Sequence, residues 1–310
     1  MSGDFGRLTQ TYVLKQRLIH VFDRRATYDA AKRPRKAYLC CYHLNMTWVK
    51  VTERRDMLPP NASGSRNVHR PHALQQMLAK LERRTALDDS DRKALLGLPV
   101  RMSVYEPGKY IVREGSTVDE SALILSGFAF RHKVTADGDR QIVSVHIPGD
   151  FVDLEGSLLK VADHNVQTLT RCEVASIPRG AIVALIDEHP RVGRALWIDT
   201  LIDGSIFREW VMNVGRRDAK QRIGHLLCEF ARRLEVAGLG TTEGYQLPMT
   251  QEQLADATGL TPVHVNRSLK VLEAEGLIVR EKRYIKIPDW GRLRDISGFN
   301  ELYLHLDVAA

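Results

Sequence analysis

The segment from Met249 to Ile287 has the pattern of two short helices, joined by a tight turn and followed by a hairpin. The first helix is predicted to begin after Thr250, whose hydroxyl can accept a hydrogen bond from the first helical turn. Gly259 ends this helix, and Thr261 then provides a second cap just before a proline that suits the first helical position. This order of caps and turn restricts the fold strongly, because it predicts a helix-turn-helix, the unit that many proteins insert into the DNA major groove.

The second predicted helix has an apolar stripe and a polar edge. Val265, Leu269 and Leu272 share one face at helical spacing, so the polar residues between them can point outward. On the polar edge, Arg267 can donate two hydrogen bonds to guanine, and Asn266 can read adenine in a similar way. After the helix, two β-prone runs enclose a charged tip and predict a wing. The candidate DNA-binding residues are Thr250, Thr261, His264, Asn266, Arg267, Lys270, Lys282 and Arg283.

Two short helices with a turn also occur in helical domains that bind no nucleic acid. The caps, the outward cations and the wing together favour the DNA-binding interpretation over that alternative. Between Pro262 and Pro288, six Lys or Arg residues stand against three Glu residues. This local excess of positive charge suits contacts with phosphates.

Residues 100–178 consist of short alternating apolar and polar runs with turn signals between them. Short strands at this spacing predict a small antiparallel barrel or jelly roll, preceded by two short helices between residues 72 and 98. The predicted strand runs are 110–112, 122–125, 128–130, 141–145 and 173–177.

A long helix is predicted from Pro190 to Arg217, and it is too apolar to stand alone in water. Residues 218–236 are predicted to form the helix that follows, and residues after Asp289 show only a weak helical pattern of unknown role. The candidate apolar positions of the long helix are Leu196, Ile198, Leu201, Ile202, Ile206, Trp210 and Val214.

The segment from Thr250 to Ile278 resembles the Crp/Fnr family of bacterial transcription regulators. The turns Glu106-Pro107-Gly108 and Pro148-Gly149-Asp150 are similar to those of the cyclic-nucleotide-binding-type barrel in the same family. This resemblance implies an α+β fold with an N-terminal antiparallel β jelly-roll barrel, a long dimerisation helix and a C-terminal winged helix-turn-helix. It also implies a homodimer that binds two half-sites of a near-palindromic operator, about 34–36 Å apart. Val263 stands where many members carry a glutamate that reads cytosine, so we expect a different half-site.

The chain is expected to consist of five segments. They are a basic, poorly ordered extension (1–72), a cyclic-nucleotide-binding-like barrel (73–189), a dimerisation helix (190–217), a winged helix-turn-helix domain (218–290) and a C-terminal tail (291–310). Residues 1–75 hold 14 Lys or Arg against 5 Asp or Glu, so the net charge of +7 originates there. A solvated tail, a DNA-touching arm and sequence that precedes a downstream natural start all remain open for this extension.

A cyclic nucleotide in such a barrel is held by a helix N-terminus, a Gly-Glu pair and an arginine that pairs with the phosphate. Here residues 151–168 contain no arginine, and Glu155-Gly156 reverses the Gly-Glu order. We therefore expect a barrel that does not bind cyclic AMP and whose pocket holds another small ligand or is a packed remnant. Its candidate residues are two carboxylates, one glycine and two possible cations: Asp153, Glu155, Gly156, Lys160 and His164.

No cofactor is expected. The four cysteines, Cys40, Cys41, Cys172 and Cys228, lack the spacing of an iron–sulfur site and any repeated C-x-x-C pattern. A histidine could formally bind haem, but lone histidines are more often hydrogen-bonded structural residues. The apolar neighbours of Cys172 and Cys228 predict buried, ordinary thiols.

The sequence thus predicts a sequence-specific regulator that binds double-stranded promoter DNA as a homodimer, with RNA polymerase as a candidate partner and an unspecified effector. The alternative is a ligand-sensing barrel that regulates a protein partner through its C-terminal domain. No positioned nucleophile, metal cluster or phosphate-cradling loop supports an enzyme. No apolar run approaches the roughly 18–20 residues that span a bilayer, and no export signal is evident, so we expect a cytoplasmic protein without membrane contact.

Overall fold

The computed structural model describes residues 74–306, so the expectations for the basic extension and for Cys40 and Cys41 lie outside the described residues. The helices are α1 (Gln75–Glu82), α2 (Asp89–Leu96), α3 (Arg179–Glu188), α4 (Pro190–Arg216), α5 (Ala219–Val236), α6 (Gln251–Thr258), α7 (Pro262–Ala274) and α8 (Trp290–Ser297). The strands are β1 (Arg101–Tyr105), β2 (Tyr110–Val112), β3 (Glu120–Ser126), β4 (Ala129–Val134), β5 (Arg140–His146), β6 (Asn165–Thr168), β7 (Cys172–Pro178), β8 (Gly244–Gln246), β9 (Val279–Glu281) and β10 (Tyr284–Lys286). Two short 3-10 helices span Leu154–Ser157 and Glu301–Leu304. Within residues 74–306, no helix combines the length and apolarity needed to cross a lipid bilayer.

Helices α1 and α2 precede the barrel, which confirms the two short helices predicted there. Asp88 caps α2, because its carboxylate accepts a hydrogen bond from the backbone N–H of Asp91 at 2.9 Å. The Asp91 carboxylate returns the contact by accepting from the Asp88 N–H at 3.1 Å. Leu74, Met77 and Leu81 on α1 are buried in a cluster with residues of β3, β7, α3 and α4, so α1 is an integral part of the body.

The barrel consists of two antiparallel sheets, with strand orders β1-β7-β3 and β2-β6-β4-β5. This arrangement confirms the predicted jelly-roll architecture, although β1 and β6 were not among the predicted strands. Gly127 forms the corner between β3 and β4 with a φ of +81°. A Cβ atom at this position would lie 2.2 Å from the carbonyl oxygen of Arg171, so only glycine fits. The buried side chains between the sheets include Val112, Ala122, Ile124, Ala129, Val152, Val166 and Val174.

The long helix α4 follows the barrel, preceded by α3, a helix that the sequence analysis did not identify. Most of the candidate apolar positions of α4 pack within the same subunit, so they are not free for the dimer contact that the resemblance implies. Leu196 belongs to the cluster around α1, and Ile202, Ile206 and Trp210 belong to a cluster shared with β5 and α5. Leu201, by contrast, is 55% exposed. The helix thus has two apolar faces, one that is buried inside the subunit and one that is exposed.

The C-terminal head is built around α5, which buries an apolar face against α7 and α8. Asp218 caps α5 by accepting from the backbone N–H of Gln221 at 2.9 Å. Strands β8, β10 and β9 form a small antiparallel sheet at the edge of the head, in which β9 and β10 are the predicted wing.

Residues after the wing complete the core of the head rather than extending from it as a tail. Leu293 on α8 is fully buried, and Tyr303 donates a hydrogen bond to the carboxylate of Glu229 at 2.8 Å. Trp210 on α4 donates to the same carboxylate at 2.9 Å. Gly224 on α5 allows close approach, since a Cβ atom there would lie 2.1 Å from the hydroxyl of Ser297. The packed unit therefore continues to residue 304, beyond the expected boundary at 290.

Candidate nucleic-acid interface

The first helix of the helix-turn-helix, α6, has the cap that the sequence predicts. The Thr250 hydroxyl accepts from the N–H of Gln253 at 3.2 Å, and the Gln253 side chain accepts from the N–H of Thr250 at 2.8 Å. Gly259 ends the helix in the left-handed region with a φ of +63°. A Cβ atom at Gly259 would lie 2.9 Å from Val214 on α4, so the turn requires glycine for both conformation and space.

The second helix, α7, begins at the predicted cap and exposes the predicted polar edge. The Thr261 hydroxyl accepts from the N–H of His264 at 3.3 Å, and Pro262 occupies the first helical position. Val265, Leu269 and Leu272 are buried in the head. His264, Arg267 and Lys270 are exposed and Asn266 is half-buried. In the described part of the chain, none of these four side chains forms a side-chain hydrogen bond or an ion pair, so all four are available to a ligand.

The wing adds further unpaired cations beside α7. Its tip residue Lys282 has a φ of +58°, and both Lys282 and Arg283 are exposed without an ion-pair partner among residues 74–306. Arg280, counted among the local cations of the sequence, instead donates to Glu273 at 2.6 Å. The carboxylate of Glu275 lies 3.1 Å from the ammonium group of Lys220. The Glu273–Arg280 pair removes one charge of each sign, whereas Glu275 is paired with a lysine outside the counted segment. The unpaired cations of residues 262–288 therefore exceed the unpaired acids by four rather than three.

The head is held against the barrel through α6. The guanidinium group of Arg140 on β5 lies 2.6–2.8 Å from the carboxylate of Asp256. Arg222 on α5 donates to the carbonyl oxygen of Thr258 at 3.1 Å. This hydrogen bond satisfies one of the carbonyl groups that have no partner within the helix at the C-terminal end of α6. Arg140 is also 5.5 Å from the ring of Phe130. The Arg140–Asp256 ion pair joins residues 116 positions apart, and no local pattern in the sequence indicates it.

Inside the barrel, Arg131 supplies a cation that the sequence analysis missed. Residues 151–168 contain no arginine, as the sequence shows, but β4 pairs with β6 and brings Arg131 beside that segment. The Arg131 guanidinium donates to the carbonyl oxygen of Val152 at 2.6 Å and lies 2.9 Å from the carboxylate of Glu155. The alternation of side chains along β4 could have indicated this inward position, because residues two apart on a strand lie on the same face and Ala129 is buried. In this structure the cation is already paired with an anion from its own chain.

The remaining pocket candidates have mostly structural contacts. The Asp153 carboxylate accepts from the N–H of Ala122 at 2.9 Å, and its burial raises the pKa of the group to about 6. Gly156 is buried, and a Cβ atom there would lie 2.4 Å from Val118. Lys160 is exposed and makes no side-chain contact within the described chain. The structure therefore does not bring Asp153 and Lys160 together as a ligand-binding pair.

His164 and the two described cysteines are also buried. The imidazole of His164 lies 2.8 Å from the carboxylate of Asp163, and burial together with nearby Arg131 lowers the pKa of the histidine. Cys172 and Cys228 are buried free thiols, which confirms the prediction for these two residues. Burial raises the pKa of both thiols, so both remain protonated and poorly reactive at neutral pH.

Two family models match the chain, one on each side of α4. Residues 102–189 match the cyclic nucleotide-binding domain, and residues 221–296 match the Crp-like helix-turn-helix domain. Both matches coincide with the barrel and the head that the structure shows.

Relatives and solved structures agree with these family models. The chain is 30% identical over 214 residues to the transcriptional activator protein FnrL of Cereibacter sphaeroides, covering 68% of this chain and 86% of FnrL. It is 27% identical to the nitrogen fixation regulation protein FixK of Azorhizobium caulinodans, over 71% of this chain and 89% of FixK. The crystallised FixK2 of Bradyrhizobium japonicum matches with a TM-score of 0.59 at 25% identity, over 64% of this chain and 97% of that one. The chain therefore belongs to the Crp/Fnr family of DNA-binding transcription regulators.

Proposed function

We propose that two copies of the protein associate through α4 and present their α7 helices to the two half-sites of a near-palindromic operator. The observation that carries this proposal is an exposed apolar face on α4. Trp197 is 67%, Leu201 55% and Val211 73% exposed. Side chains of this size and apolarity on one long helix favour association with a second apolar surface.

The spacing of this face suits a second copy of the same helix. Positions 197, 201, 204, 208, 211 and 215 follow one another at alternating intervals of four and three, the spacing of a coiled-coil seam. Gly204 and Gly215 occupy two of these positions, where the small residue allows two helix backbones to approach closely, and the exposed Arg208 occupies a third. We name positions 197–215 at this spacing the α4 seam.

Within each half-site we assign base contacts to α7 and phosphate contacts to the caps and the wing. Arg267 is placed to read guanine and Asn266 adenine, while His264 and Lys270 flank them on the same exposed edge. Lys282 and Arg283 at the wing tip are placed to contact phosphates, as are the hydroxyl-bearing caps Thr250 and Thr261. For these roles we retain the domain ranges 73–189, 190–217 and 218–290, with residues up to 304 added to the head.

The family membership favours DNA as the partner of the C-terminal head over the alternative of a protein-interaction module. FnrL carries the name of a transcriptional activator. By analogy, we propose that the DNA-bound dimer of this protein contacts RNA polymerase.

Selection of bound duplexes from a random pool tests the proposed operator. With the full chain, we expect enriched duplexes to contain two inverted half-sites whose centres lie about 10–10.5 base pairs, or a multiple of this, apart. This follows from two recognition helices related by a two-fold axis. Enrichment of a single unpaired half-site, or none at all, would contradict the proposal.

We further propose that cyclic AMP does not control the protein, because the Arg131 guanidinium is already paired with the carboxylate of Glu155. Millimolar cyclic AMP is therefore expected to leave the melting temperature unchanged, since a ligand stabilises a protein only by RT ln(1 + [L]/Kd). The measurement is a thermal melt of the full chain, with a cyclic-AMP-binding regulator run beside it as a positive control. A reproducible upward shift would show that the nucleotide displaces Glu155.

A further inference from the structure

A cavity of about 130 Å³ lies where the barrel, the long helix and the head meet. Arg131 and Glu155 of the barrel are not among its lining residues. Helix α1, the loop after β5, helix α4 and helix α5 each contribute side chains to its wall, and the C-terminal residues close one side. Its charged lining residues are Lys80, Arg83, Arg84, Asp150, Asp199, Asp203 and Arg233.

Ion pairs fix most of this wall. The Lys80 ammonium group lies 2.9 Å from the carboxylate of Asp150 and 2.7 Å from that of Asp199. Arg233 of the head lies 3.0 Å from Asp150. Burial alone would lower the pKa of Lys80, but the two carboxylates raise it above its ordinary value, so the group stays charged. Through these pairs, α1, the barrel loop, α4 and the head form one connected network around the cavity.

Two charged side chains on the wall have no such partner. In the described chain, the side chains of Asp203 and Arg83 form neither a hydrogen bond nor an ion pair within 4 Å. Desolvation raises the pKa of Asp203 to about 6, and the carboxylate of Asp199 adds to the rise against the opposing effect of Arg131. Desolvation and the neighbouring Arg84 lower the pKa of Arg83. Burial therefore disfavours the charged form of each group more than its charged neighbours favour it, these neighbours being Arg131 and Lys80 for Asp203 and Asp199 for Arg83. A directly hydrogen-bonded opposite charge would stabilise both charged forms.

The rest of the lining limits the size and polarity of an occupant. Ile202, Ile206 and Leu304 supply apolar surface beside the two unpaired charges. An apolar cavity of about 150 Å³ accepts a molecule the size of benzene, so this cavity suits a ligand of similar or slightly smaller size. A ligand with a single charge would satisfy only one of Arg83 and Asp203.

We propose that this junction cavity binds a small zwitterionic amino acid, whose carboxylate pairs with Arg83 and whose ammonium group pairs with Asp203. The ligand would contact α1 and α4 of the body while the wall includes Arg233 of the head. Its binding therefore stabilises the arrangement in which head and body enclose it. This regulatory consequence rests on the proposed DNA-binding function, whereas the binding itself does not.

Thermal melts and calorimetric titrations of the full chain with α-, β- and γ-amino acids test the binding. Propionate and propylamine, which carry one charge each, serve as matched probes. We expect at least one amino acid to raise the melting temperature and to release or absorb heat at concentrations where the two single-charge probes do neither. The failure of every amino acid at millimolar concentration would overturn the proposal, as would equal binding of propionate or propylamine.

Substitutions in the cavity wall distinguish amino-acid binding in the cavity from a non-specific effect of the amino acid on protein stability. Asp203→Asn and Arg83→Gln each remove one charge, and we expect each to weaken amino-acid binding about tenfold or more. Asp187→Asn and Lys93→Gln remove exposed charges away from the cavity and should leave affinity unchanged. Unchanged affinity in both cavity variants would refute the site. Loss of operator binding with amino-acid binding intact would instead refute the proposed DNA-binding function and leave the cavity proposal standing.

Discussion

Replacing Arg267 with alanine is expected to reduce sharply the discrimination of the protein between its operator and unrelated DNA. A bidentate arginine–guanine contact contributes about 1–3 kcal/mol of discrimination, so two half-sites together contribute about 2–6 kcal/mol. This corresponds to a loss of operator affinity from roughly 30-fold to more than 10,000-fold. The substitution should leave the fold intact, because Arg267 is exposed and makes no side-chain hydrogen bond or ion pair within the described chain. Binding of operator and scrambled duplexes, measured at one salt concentration, gives the discrimination ratio.

The double variant Lys282→Gln, Arg283→Gln is the matched control, because it removes charge from the wing without altering α7. It should weaken binding to all duplexes by a similar factor and leave their ratio unchanged. Four lost phosphate contacts per dimer would make the slope of log affinity against log salt shallower by about 3–4. If the Arg267 and wing variants changed discrimination and salt slope alike, the division between base and phosphate contacts would be wrong.

The helix-turn-helix could be predicted almost to the residue because its determinants are local. Thr250 and Thr261 cap helices whose first turns lie within three residues of them. Gly259 has a positive φ, a conformation that favours glycine at the end of a helix. Exposure of the polar edge of α7 follows from the helical period alone. The assignment of these residues to bases and phosphates remains a prediction.

The barrel interior could not be predicted in the same way, because it depends on which strands become neighbours. Arg131 reaches Glu155 across the fold, although residues 151–168 themselves contain no arginine. Tyr303 reaches Glu229 across 74 positions, which is why the C-terminal residues carried only a weak local pattern. The number of inward-facing positions on a strand follows from its alternation, but their partners follow from the sheet order.

The α4 helix shows why the face that packs within the subunit could not be predicted from the sequence. Apolar residues occur on two of its sides, so periodicity alone could not say which side packs within the subunit. The body and head bury Leu196, Ile202, Ile206 and Trp210. Only the arrangement of α1, β5 and α5 around the helix leaves the face containing Val211 exposed. The structure therefore moves the expected dimer contact from the predicted stripe to the α4 seam, with Leu201 common to both.

Introducing a charge into the α4 seam is expected to disrupt the dimer and to lower its affinity for the operator. Val211→Glu places a carboxylate on a face that, in the proposed dimer, meets its own copy across a two-fold axis. Two like charges would then be brought together at the two-fold axis and removed from water, which is strongly unfavourable, so we expect a monomer. A monomer contacts one half-site, and its operator affinity should fall toward non-specific binding, about 10³-fold or more. Light scattering gives the mass of the particle, and titration with the selected operator gives the affinity.

Leu158→Glu provides the control, because Leu158 is 72% exposed, nearly as much as Val211, but lies in the barrel. It should keep both the mass of the dimer and the operator affinity. Circular dichroism of both variants checks that the fold survives, as expected for substitutions at exposed positions. A second seam variant, Leu201→Glu, should reproduce the effect of Val211→Glu because both positions belong to the same seam. A dimeric Val211→Glu protein with unaltered operator affinity would exclude the α4 seam as the surface that sets the spacing of the two recognition helices.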